Sequence, residues 1–134
     1  MQDVLSPNIK KSFDSSEVIQ FTLEVDSYRK NKYIKFEVKG EKSTTNYVLS
    51  AYSDNQRTNR IQLAQGFNGK TKLYLSKEQN NEYNKFIYID LECSDIPCKG
   101  EIDNTYSDSI ELEEGEILNY YVSSTNTKME FSLT

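Results

Sequence analysis

Ten short runs of alternating apolar and polar residues occupy the chain, at 18–25, 33–38, 47–52, 60–65, 70–76, 86–92, 99–102, 109–113, 117–123 and 128–133. No stretch has helical periodicity. Alternation with period two sends successive side chains to opposite faces, so each run reads as a strand with one buried side. Ile19, Phe21, Leu23 and Val25 share one face of the first run, and Ile34, Phe36 and Val38 share one face of the second. Leu73 and Leu75 point inward in the fifth, leaving Lys72 and Tyr74 outward. The runs at 47–52 and 86–92 are apolar on both faces, with Phe86/Tyr88 opposing Ile87/Ile89/Leu91. Both are expected at central positions. Strands recurring every 8–14 residues have the spacing of an all-β antiparallel sandwich, here of eight to ten strands.

The punctuation agrees. Asn68-Gly69 is a strong hairpin signal, because both residues accept positive φ. Charged or polar breaks fall at 26–32, 40–46, 53–59 and 78–84, and Glu114-Gly115-Glu116 reads as a turn. Pro7 and Pro97 lie away from strand centres, as ladder hydrogen bonding requires. Residues 1–16 are polar and read as a flexible leader, followed by a single sandwich domain over 17–134. A 134-residue chain buries roughly 68% of its unfolded surface, enough for a two-layer core. An apolar content of 36% suffices when each strand buries one face.

The net charge of −5 argues against nucleic acid and anionic membrane as partners. Residues 1–89 hold 14 basic and 10 acidic side chains, and residues 90–134 hold 2 basic and 11 acidic. Seven carboxylates and no cation fall between residues 101 and 116, a solvated loop and edge or an acidic patch for a cation or basic partner. No apolar run reaches 18 residues, so no direct membrane insertion is expected. Met1-Gln2-Asp3-Val4 has neither the basic nor the apolar part of a secretory signal. The expectation is therefore one domain of a larger secreted or membrane-anchored protein.

Cys93 and Cys98 flank Ser94-Asp95-Ile96-Pro97 at an expected strand end. The spacing is not Cys-x-x-Cys, and two thiolates without histidine cannot fill a zinc site. A local disulfide is expected, contributing about 2 kcal/mol by loop closure and implying an oxidising compartment. The alternative is a pair of free thiols.

The chain has no histidine, which removes the Ser-His-Asp and Cys-His nucleophile systems and the usual neutral-pH general base. Glycines 40, 66, 69, 100 and 115 form no phosphate loop. Carboxylate pairs at i and i+2 on a strand, Asp90/Glu92 or Glu111/Glu113, leave a glycosidase as a distant alternative. No cofactor is expected. Calcium is the one candidate, on Asp90, Glu92, Asp95 and Asp103 near the cysteines, or on Asp54 and Asn55. Among ten tyrosines, Tyr74, Tyr88 and Tyr121 occupy outward or secondary strand faces and are the candidate ligand-binding residues. Exposed Tyr is flat, amphipathic and low in rotamer entropy, which suits contact with protein or glycan.

Leu112-Glu113-Glu114-Gly115-Glu116-Ile117-Leu118-Asn119-Tyr120-Tyr121-Val122 resembles the leucine, turn, glycine and aromatic-rich strand that ends bacterial pre-peptidase C-terminal-like domains. Leu73-Tyr74-Leu75 is similar to that family's Leu-Tyr-aliphatic strand, and the run from Met129 to Leu133 fits its closing strand. Lys72 stands where the family often has an acidic residue, and the cysteine pair is outside its pattern. The resemblance implies a jelly-roll-like, non-catalytic sandwich attached to secreted or surface proteins, and carries over no catalytic or ligand residue. Together these readings lead to an extracellular or cell-surface binding or adhesion module for a protein or glycan, not an enzyme. The alternative is a structural spacer packing against neighbouring domains of its parent chain.

Overall fold

The computed structural model describes residues 2–6, 8–25, 32–42, 44–66, 69–76 and 85–111, with side chains of Gln2 and Asp3 excepted. Nine strands fall within them: β1 (Gln2–Leu5), β2 (Lys11–Ser15), β3 (Ile19–Glu24), β4 (Tyr33–Gly40), β5 (Tyr47–Tyr52), β6 (Arg60–Gly66), β7 (Lys70–Ser76), β8 (Phe86–Cys93) and β9 (Cys98–Ser107). A five-stranded sheet has the order β1-β3-β8-β5-β6 and a four-stranded sheet the order β2-β9-β4-β7. Every pairing is antiparallel except β1 with β3. The chain changes sheet at each connection but one, β5 to β6. The expected antiparallel β-sandwich is what the chain forms.

The core is the meeting of the two apolar faces. Phe21, Leu23, Leu49, Ala51, Ile87, Ile89 and Leu91 come from one sheet and Ile34, Phe36, Val38, Leu75 and Ile102 from the other, all fully buried. Their register is continuous, with Phe21 opposite Ile89 and Ile89 opposite Ala51. Period-two patterning permits only this alignment, because a slip of one residue would turn each apolar set to solvent. β8 is the middle strand of its sheet and β5 is interior, as their two-sided apolar pattern requires.

Polar contacts close one side of the sandwich. Buried Gln62 on β6 donates from Nε2 to the backbone oxygen of Tyr74 on β7 (3.1 Å), joining the two sheets. Glycines admit two rings at the other end. Gly40 and Gly100 face each other across β4 and β9. A Cβ on Gly40 would collide with the Tyr47 hydroxyl, and one on Gly100 would lie 3.0 Å from Phe13 Cζ. Phe13 and Tyr47 pack edge to face, 6.3 Å apart.

Several expectations are corrected. The leader expected over 1–16 contains β1 and β2, paired to β3 and β9. Asn104 anchors the link between them, donating from Nδ2 to Ser6 O (3.0 Å) and accepting from Asn8 N (3.2 Å). The strand expected at 99–102 runs the full length of β9, and residues 108–111 lie outside any strand. Gly69 has the expected positive φ of 74°, but β6 and β7 sit in different sheets, so they do not form the expected hairpin. The breaks at 26–31 and 78–84, the strands at 117–123 and 128–133, and the segment from Leu112 to Val122 lie outside the described residues.

The disulfide forms. Cys93 ends β8 and Cys98 begins β9, with Cα atoms 5.7 Å apart, so the bond clasps one sheet to the other. The clasp docks on residues 45–46: Ser94 N donates to Asn46 O (3.0 Å) and Thr45 Oγ1 to Asp95 (3.1 Å).

Candidate functional site

The outer faces of the two sheets differ in chemistry. On the four-stranded sheet β4 presents Lys35, Glu37 and Lys39, flanked by Lys70 and Lys72 on β7 and Glu101 and Asp103 on β9. This is a ladder of mixed charges, with Lys72 and Glu37 3.9 Å apart. The five-stranded sheet instead carries a row set by cross-strand register: Val4, Thr22, Tyr88, Tyr52 and Arg60, from β1, β3, β8, β5 and β6. Beside it on β8 stand Phe86 and Asp90, two residues either side of Tyr88. Val4 is 69% exposed and Phe86 41%. The Phe86 and Tyr88 rings are 6.4 Å apart and tilted by 32°.

Among the described residues, Arg57 and Arg60 lie on this face. A bulge in β6 pairs Ala51 with Gln62 and Tyr52 with Arg60, which brings the Arg60 guanidinium 5.9 Å from the Tyr52 ring centre. Arg57 comes from the loop joining β5 to β6. Asp54 organises that loop, accepting from Thr58 N (3.0 Å), Asn59 N (2.9 Å) and the Thr58 hydroxyl. These bonds hold the Asp54 carboxyl below its ordinary range, the Thr58 side chain contributing most. The loop leaves Arg57 at a φ of 58°, a left-handed conformation uncommon for a residue with a Cβ.

The Arg57 guanidinium is thereby laid across the sheet, 5.4 Å from the centre of the Tyr88 ring. Nε donates to Asp90 Oδ1 at 3.0 Å, and Nη1 to Asn55 O (2.8 Å) and Oδ1 (3.0 Å). The Arg57 side chain is only 10% exposed, and Nη2 is buried with no hydrogen-bond partner. Cation–π contact, the ion pair and the Asn55 bonds offset the desolvation of the guanidinium, and Nη2 is the donor they leave unpaired.

The residues proposed from sequence do not assemble as one surface. Tyr88 is on this face. Tyr74 points outward from the four-stranded sheet, as its alternation requires, but it is buried rather than exposed. Its hydroxyl donates to Glu111 O (3.1 Å) and accepts from Glu111 N (3.2 Å), and Tyr33 packs edge-on at 6.2 Å. Tyr121 lies outside the described residues.

The carboxylates considered for calcium are also dispersed. Asp90 and Glu92 share the outer face of one sheet and Asp103 occupies that of the other, while Asp95 accepts from Thr45 and Asp54 is engaged by its own loop. Among the described residues no three His, Cys, Asp or Glu side chains gather as a metal group. Of the acid–base pairs, Asp90 is ion-paired to Arg57, and Glu113 lies outside the described residues.

Arg57, Arg60, Tyr52 and Val4 were not legible as members of a surface. The apolar second face of the run at 86–92 was the available signal, and it does mark Phe86 and Tyr88. Nothing in a polar turn announces a left-handed arginine.

No family model and no curated protein matches the chain. Among solved structures, the pre-peptidase C-terminal domain of collagenase from Bacillus anthracis superposes with a TM-score of 0.52 and 16% identity, over 78% of this chain and 93% of that one. The fold is that of a pre-peptidase C-terminal domain. Within this pre-peptidase C-terminal-like sandwich the aromatic face belongs to the five-stranded sheet and the charge ladder to the four-stranded one.

Proposed function

We propose that the chain is a non-catalytic accessory domain of a larger secreted or membrane-anchored protein, outside the cell or at its surface. It holds a protein or glycan against the outer face of its five-stranded sheet. The observation that carries this reading is the set of Val4, Phe86 and Tyr88, exposed or half-buried on the outer face, where a solvated sandwich face would be polar. The likeness to a domain of a collagenase supports the accessory role, and the disulfide supports an oxidising compartment. The absence of histidine supports a role without catalysis.

The test is a panel of glycans and secreted proteins, screened with the wild-type domain and Phe86→Ala. Phe86 is exposed, so the variant is expected to melt with the wild type while ligand affinity falls about ten-fold or more, as for an aromatic anchor. Full retention of every ligand by a folded Phe86→Ala variant would refute the face. The spacer reading draws on the charge ladder of the other sheet, which suits salt-sensitive contact with neighbouring domains. An empty panel together with self-association that disappears at high salt would put the spacer in its place.

A further inference from the structure

We infer that the ligand of this face is a carboxylate-bearing glycan, with the Arg57 guanidinium as the donor to its carboxylate. The inference rests on the accessory-domain reading and gives it a chemical class. Arg57 is nine-tenths buried, its Nε and Nη1 are used within the protein, and its Nη2 has no acceptor. Buried guanidinium N–H groups are almost always satisfied, because a missing acceptor leaves the desolvation of a charged donor uncompensated. An oxyanion reaching Nη2 supplies that acceptor, and guanidinium matches carboxylate in plane and in donor spacing.

The surroundings select a sugar as the bearer of that carboxylate. Tyr88 is a hub: Arg57 lies 5.4 Å from its ring centre and the exposed Phe86 ring 6.4 Å from it. A flat apolar ring and a cation set around one tyrosine suit a pyranose with a carboxylate at its rim. The Phe86 and Tyr88 rings stand on β8, the middle strand of the sheet, away from its edges. Peptide recognition by strand addition needs a sheet edge, and a helical peptide needs a groove. The face also carries carboxylates, Glu24 opposite Phe86 on β3 and Asp90 and Glu92 on β8, of which Asp90 is held by Arg57 Nε. The sugar's carboxylate is therefore placed at the Arg57 guanidinium itself.

Nη2 has no free surface, so a ligand oxygen reaches it only with a shift of the 53–59 loop. Binding is then expected to perturb that loop as well as the sheet face.

The experiment compares oligogalacturonate, its methyl ester and oligosialic acid by titration calorimetry, with wild type, Arg57→Gln and Phe86→Ala. At least one of the two acids is expected to bind about ten-fold or more tightly than the ester. Uronate and sialate are the two sources of the same chemistry, and the arm that binds tells them apart. Arg57→Gln should bring the acid down to the level of the ester, while Phe86→Ala weakens both. Amide shifts on binding should include Asn55, Arg57 and Thr58. If Arg57→Gln unfolds because Asp90 loses its partner, Arg57→Gln/Asp90→Asn replaces it. Equal binding of acid and ester, binding of neither acid, or an acid preference that survives loss of Arg57 would each overturn the inference. A neutral glycan or protein from the panel whose binding Phe86→Ala abolishes would leave the accessory-domain reading standing without it.

Discussion

Asp54 shows how one side chain sets the position of another that it never touches. Its carboxylate gathers Thr58 and Asn59, and the loop so formed presents Arg57 to Tyr88 and Asp90. Those bonds favour the charged form, so the folded-state value lies below the ordinary 3.8. The sign follows from linkage. A carboxyl with a depressed folded value contributes stability that is present above 3.8 and lost as pH falls through the folded value. Asp54→Asn keeps the acceptor oxygen and removes the charge. It is therefore expected to melt below the wild type at pH 7, by a small margin because the group is exposed to solvent. The gap should close as both proteins are acidified from about pH 5 to about pH 2. A gap that is constant across this range would show that the charge is not what organises the loop.

At the level of elements, what was legible depended on how apolar the inward set is. β3 and β4 announce themselves, with Ile19, Phe21 and Leu23 in one and Ile34, Phe36 and Val38 in the other. β9 does not, because its inward positions after Cys98 include Gly100 and Asn104 beside Ile102. β2 buries a single residue, Phe13, and four-residue β1 is too short to display a period. Tyr74 failed for a different reason. Its direction was readable from the alternation, but its cover comes from Glu111, 37 residues along the chain. Asn104 is the element-scale counterpart of Asp54, since it fastens the β1–β2 link to β9 by both halves of its amide. Asn104→Ala removes the acceptor of Asn8 N and one donor to Ser6 O, which keeps Ile9 N, at an expected cost of about 0.5–1.5 kcal/mol per bond in urea unfolding. Amide exchange at Val4 and Leu5 should accelerate more than at Ile89 in the middle strand. An unchanged urea midpoint would mean that strand pairing alone holds the N-terminal segment.

At the scale of the whole molecule, the described residues form two sheets held by a continuous apolar core and a covalent clasp. The core joins the sheets throughout, while Cys93–Cys98 joins them only where β8 passes into β9. The two contributions separate in magnitude. A disulfide closing so short a loop constrains the unfolded chain by about 2 kcal/mol, whereas burial of a single large apolar side chain contributes about 1.5–3 kcal/mol and the core has many. The fold is therefore expected to survive Cys93→Ala/Cys98→Ala. The variant should keep its β-sheet circular dichroism and lose roughly 6–10 °C of melting temperature, the shift that about 2 kcal/mol produces in a domain of this size. The loss should be local in origin. Ser94 and Asp95 are tied to Asn46 and Thr45, so exchange should quicken at Asn46 and Ser94 first. The aromatic row is built on β1, β3, β8, β5 and β6 and does not use the clasp, so ligand affinity should be unchanged. Unfolding of the double variant at 25 °C would make the disulfide, rather than the apolar faces, the condition for the fold. Loss of binding by a folded variant would move the contact surface from the sheet face to the end of the sandwich where the two sheets are clasped.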